Sequence, residues 1–148
     1  DEKKYRVDDA VAAVKAALLE GIVPGGGVTP INLAGKITGD SAGAEIVRNA
    51  LLMPFKQLAT NAGLNAEALL AQVQEAKPSY GVDVANYQGK LIDLKKAGVV
   101  DPAMVTYQAI QNAVSIASTA MTMGALVVDI PEKPTAEAAG NPGMGMGY

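Results

Sequence analysis

Few residues in this chain have the chemistry for catalysis or ligand capture, and they fall at separated places. They are the pair Asp8-Asp9, the run Gly25-Gly26-Gly27 inside "GIVPGGGVTP", Asp83 in "YGVDV", and Asp101 in "AGVVDP". Histidine and cysteine are both absent, which removes imidazole general bases, thiolate nucleophiles, disulfides and thiolate metal sites. What remains is carboxylate, hydroxyl and backbone chemistry. A carboxylate can orient a water molecule or bind Mg²⁺. Three consecutive glycines ahead of a helix can present free N–H groups to a phosphate, or let a ligand lie against bare backbone.

Each feature also has a plainer reading. Asp8-Asp9 fits the first turn of a helix, where carboxylates suit the dipole and cap free N–H groups. The triple glycine fits a hinge between helices, which spacing alone favours. It lacks the G-x-x-x-x-G-K-[ST] spacing of a P-loop, and no strand is predicted before it, so the dinucleotide fingerprint is missing too. Asp83 is a turn residue or a polar contact to a base. Asp101 before Pro102 is a natural N-cap, or an acceptor for a ligand hydroxyl.

These residues need elements to position them, and the pattern supplies mostly helices. Val7, Val11, Val14, Leu18 and Leu19 recur at helical spacing up to Gly21. A second helix is expected over 28–37, with Pro30 in its first turn. A third runs over 42–62, with a kink or break near Leu51 caused by Pro54. Asn65 caps a fourth. "PSYGVDVANYQGK" reads as a small strand or hairpin, followed by a short helix over 89–96. The longest helix is expected over 103–123, and its many small residues imply close packing all round. "ALVVDI" reads as a short strand ended by Pro131, and residues 132–148 as a disordered Gly/Met-rich tail. The fold class is therefore mainly α, multihelical, with a small β hairpin and a short C-terminal strand.

Composition narrows the partners. The formal net charge is −3, and the only basic clusters, Lys3-Lys4-Tyr5-Arg6 and Lys95-Lys96, are too short to track a phosphate backbone. No nucleic-acid or membrane partner is expected, since no apolar run reaches the roughly 18 residues that span a bilayer. The start without Met, directly into a helix, suggests a piece of a longer protein.

Taken in order, "KKYRVDDAVAAVKAALLEGIVPGGGV", "YGVDV", "AGVVDP" before an Ala-rich helix, "VVDIPEKP" and a Gly-Met tail resemble the C-terminal part of a group I chaperonin of the GroEL type. The tail favours group I, although "GVDV" followed by "GK" is also similar to the archaeal and eukaryotic relatives. The resemblance implies that residues 1–19 are the last helix of an intermediate domain. It makes residues 20–131 the C-terminal half of an equatorial, ATP-binding domain, and 132–148 the tail. Asp9 then matches the carboxylate that activates water for ATP hydrolysis. Gly26 matches a glycine against the ribose, Asp101 the acceptor of the ribose hydroxyls, and Val99 an apolar neighbour of the base. Asp83, Val84 and Ala85 fall where that family contacts adenine.

The same resemblance implies a cytoplasmic ATPase that encapsulates and folds client proteins. Its subunits form stacked seven-membered rings, and a missing apical domain binds a co-chaperonin and unfolded clients. The segment between Asp83 and Asp101 is about two residues longer than the bacterial pattern. The phosphate loop and the Mg²⁺ aspartate of the family lie in an N-terminal half not included here, so this chain alone is expected to bind ATP and Mg²⁺ poorly and to lack ATPase activity. The alternative is a helical oligomerisation or interaction module with no nucleotide role.

Overall fold

In a computed structural model, which describes residues 2–130, α1 (Glu2–Glu20) ends where Gly21 takes φ 82° and donates its N–H to Ala17 O at 2.8 Å. Only glycine adopts that conformation without strain. The short β1 (Ile22–Pro24) follows, then α2 (Val28–Ala34), α3 (Ala42–Asn61) and α4 (Ala66–Glu75). The strands β2 (Tyr80–Gly81), β3 (Ile92–Asp93) and β4 (Val100–Pro102) lead to α5 (Ala103–Met121). Two antiparallel ribbons result. β1 pairs with β4 in the register Val23 to Asp101, and β2 pairs with β3 in the register Tyr80 to Asp93.

One side of the molecule owns the core. Val28 and Ile31 of α2, Phe55 and Ala59 of α3, and Leu69, Leu70 and Val73 of α4 close on Val82 and Leu94 from the β2–β3 region. The spacing of the α3 and α4 contributors is that of one helix face. Ser41 and Asn65 cap α3 and α4, their side-chain oxygens accepting from Ala44 N at 3.2 Å and Ala68 N at 3.1 Å. Arg48 fastens the α2–α3 loop by donating to Gly39 O at 2.8 Å. A surface ion pair, Lys56 to Glu67 at 2.8 Å, joins α3 to α4.

Five expectations change. Helix α3 runs through Pro54 without a break, because Leu51, Phe55 and Ala59 on either side of it are held in the interior. The helix expected over 89–96 is instead β3 and a turn. Leu94 N donates to Ser79 O at 2.9 Å and its side chain is fully buried, so tertiary pairing overrides local propensity. Gly89, at φ 78°, starts no helix.

Helix α1 begins at Glu2, so Asp8 and Asp9 lie beyond its first turn, and the capping reading fails. Helix α5 buries none of its residues, against the close packing its alanines suggested. "ALVVDI" forms no strand among the described residues, and its Val127 is 93% exposed. A strand needs a backbone partner, and none reaches it there. The tail expected over 132–148 lies outside the described residues.

Candidate functional site

The three glycines form a turn from β1 into α2, and each has a different reason to be glycine. Gly25 donates its N–H to Val99 O at 3.0 Å, and a Cβ on it would sit 3.2 Å from the Val100 nitrogen. Gly27 has φ 75°, and its Cβ would come within 2.9 Å of the Phe55 backbone. Both are close-packing positions. Gly26, at φ 62°, has room for a Cβ, which would meet Val82 O and Leu94 at 3.6 Å. Its requirement is conformational. The turn is thus clamped between β4 and α3, and it joins β1 to α2 rather than one helix directly to the next.

The same clamp gathers residues far apart in sequence. Val82, buried beside Gly26, carries the Asp83–Ala85 loop to the turn, while Val99 arrives through its bond to Gly25. Within that loop Asp83 folds onto its own backbone. Its carboxylate accepts from Ala85 N and from Asn86 Nδ2, both at 3.1 Å, which is Asx-turn geometry. Val84 and Ala85 are exposed next to it.

Asp101 stands on β4 rather than at a helix cap. The N-cap of α5 is Pro102, with no side-chain cap bond, so the capping role expected of Asp101 fails. Its carboxylate has neither an ion pair nor a hydrogen bond among the described residues, and desolvation by burial raises its pKa above the ordinary 3.8. A half-buried acceptor with no protein partner among the described residues is suited to a ligand donor such as a hydroxyl. Asp101 and Gly27 both line a cleft of about 590 Å³, walled by α3 (Ile46, Ala50, Leu58) and α5 (Ala109, Ala113). The cleft is apolar along its length.

Gly26, Val99 and the Asp83–Ala85 loop therefore meet around one turn, while Asp101 pairs with Val23 just ahead of that turn and lines the α3–α5 cleft with Gly27, and Asp9 lies away from all of them. Twelve residues of chain separate Asp9 from Gly21, about 18 Å of helix at 1.5 Å per residue. Asp9 is exposed and makes no ion pair among the described residues. No group of three or more acidic side chains that could hold a metal comes together among the described residues.

Sequence reasoning passed over Gly81. A Cβ there would lie 2.5 Å from Val28 Cγ2 and 2.7 Å from Leu94 Cδ1, so the loop can reach the glycine turn only through a residue without a side chain. A lone glycine in a strand-like run was the available signal.

A mainly helical unit with two short ribbons, closed around a glycine turn, defines the class. Residues 1–131 match the TCP-1/cpn60 chaperonin family, and the chain belongs to that family. It is similar to a solved structure described as "Crystal structure of group III chaperonin in the open state", with 32% identity and a TM-score of 0.67. The match covers 76% of this chain and 25% of that one, so this chain spans about a quarter of the relative's length. No helix among the described residues is long and apolar enough to cross a membrane.

Proposed function

We propose that the chain is the C-terminal part of an ATP-dependent chaperonin subunit and supplies the base and ribose side of its nucleotide site. The observation that supports this reading is the convergence of Gly26, the Asp83–Ala85 loop and Val99 on one turn, with Asp101 on the strand that leads away from it. Asp101 accepts from the ribose hydroxyls, the bare backbone at Gly26 lets the sugar approach, and Val99 with the Asp83–Ala85 loop flanks adenine. In this reading the phosphates and Mg²⁺ are held by residues outside this chain. When bound, Mg²⁺ neutralises charge on the phosphates being transferred.

Asp9, carried on α1, reaches the γ-phosphate only when that helix swings as part of an intermediate domain, and there it orients the attacking water. The parent works as rings of identical subunits that enclose clients, with a co-chaperonin as lid. Its group I assignment rests on the Gly-Met tail, while the solved relative is a group III protein. Calorimetric titration of the 148-residue chain with Mg-ATP is expected to show no tight binding. Micromolar affinity would contradict that division of labour. In the intact subunit, Asp101→Ala should weaken ATP binding, whereas Asp9→Ala should retain binding and slow hydrolysis at least about tenfold. Equal loss of binding in both variants would overturn the roles assigned.

A further inference from the structure

Leu94 has no exposed surface and carries no polar side-chain atom, yet the separate segments of the glycine-turn site are built around it. A Cβ on Gly81 would come within 2.7 Å of its Cδ1, and a Cβ on Gly26 would meet the same methyl at 3.6 Å. One methyl group thus stands between the middle of the turn and the strand that leads into the Asp83–Ala85 loop. The backbone of Leu94 holds the third segment. Its carbonyl accepts from Val99 N at 2.8 Å, and Val99 O accepts in turn from Gly25 N at 3.0 Å. Its own N–H donates to Ser79 O at 2.9 Å, directly ahead of β2.

We infer that Leu94 is a positioning residue for the nucleoside surface: its side chain sets the gap between Gly26 and the Asp83–Ala85 loop, and it touches no ligand itself. This rests on the nucleoside reading of the turn. Protein interiors are close-packed, so shortening a buried side chain lets the least restrained neighbour move toward the space it leaves. That neighbour is β2. It pairs through two residues, Tyr80 and Gly81, and Gly81 has no Cβ to stop its approach to Leu94. The carbonyl of Val82, next along the chain, lies 3.6 Å from the same point beside Gly26, so a displacement of β2 passes directly to the base loop. Leu70 provides the contrast. It belongs to the same core, but α4 carries it, and α4 supplies no part of the site.

Titration of the 148-residue chain with adenosine, followed by amide chemical shifts, compares Leu94→Val with Leu70→Val, each of which removes one methylene from that core. Leu94→Val is expected to bind adenosine about fivefold more weakly, and to shift the Gly25, Gly26 and Val82 amides before any ligand is added. Leu70→Val should keep the affinity within about twofold while losing similar stability in chemical denaturation. Leu94→Met, which conserves volume and reach, should recover most of the affinity. Circular dichroism checks that each variant folds. Leu94→Ile keeps the volume but draws one methyl back toward the backbone, and it should weaken adenosine in the same direction with less loss of stability. Equal weakening in the two valine variants, or full affinity in Leu94→Val and Leu94→Ile, would overturn the positioning role and leave the nucleoside surface standing. No adenosine shifts in the unaltered chain would overturn the nucleoside reading itself, and this inference with it.

Discussion

Helices α3 and α5 are almost equal in length, 20 and 19 residues, yet they live in different environments. α3 buries Leu51, Phe55 and Ala59 against α2, α4 and Leu94, while α5, the more apolar of the two, buries nothing. The same division holds for α4 against α1. Amphipathicity tells which face wants cover, and only tertiary neighbours decide whether cover is present. The glycine turn lies on the seam between these regions. Gly27 leans on Phe55 on the closed side, and Gly25 bonds Val99, just ahead of β4 and α5, on the open side.

The sharpest test of that contrast is truncation on each side. Phe55→Ala is expected to cost about 3–5 kcal/mol, as for other buried aromatics, whereas Ile116→Ala, at a position 71% exposed, should cost less than about 0.5 kcal/mol. Chemical denaturation of the two variants measures the difference, and similar losses would erase the distinction. A glycine pair comes next. Gly27→Ala imposes both a positive φ and a backbone clash at Phe55, so it should cost well over the about 1 kcal/mol expected at Gly21, where φ is also positive but space is open. Equal costs would mean that the turn is not clamped. Asn65→Ala removes the α4 cap on the closed side and should lower stability by about 1 kcal/mol in the same assay.

The smallest effect concerns Asp101. Its folded pKa is raised by desolvation, so the folded state binds its proton more tightly than the unfolded chain does. Stability from this group is therefore greatest below its ordinary 3.8 and is lost as pH rises through the raised folded value. Asp101→Asn should consequently raise the melting temperature slightly at neutral pH, with the gain vanishing toward pH 3.8. A gain that grows as pH falls would reverse the sign.

What the sequence made legible follows the same boundary. The Asn65 cap, the α2 start at Val28 with Pro30 in its first turn, and the extent of α3 are local signals, and local signals settle them. Leu94 is different. Its segment has helix-forming residues, but a partner strand about a dozen residues earlier claims it, and no single-segment pattern reports such a partner. Asp101 reads as a cap because a Pro follows it, yet Val23 pairs with it in a ribbon and moves the cap one residue on. The small residues of α5 read as close packing all round, yet the helix buries none of its residues. Among the candidate site residues, Gly26, Val99 and the Asp83–Ala85 loop come from the family resemblance, and backbone packing brings them together at the glycine turn. The role of Gly81 was not, because only the positions of Val28 and Leu94 reveal it.

The central question is whether the convergence at the glycine turn is a nucleoside surface. Titrating the isotopically labelled chain with adenosine, followed by amide chemical shifts, addresses that directly. Weak binding is expected, with shifts confined to Gly25–Gly27, Val82–Ala85 and Val99–Asp101, and abolished by Asp101→Ala. Shifts spread along the α3–α5 cleft, or none up to the solubility of adenosine, would contradict it and favour an interaction module without a nucleotide role.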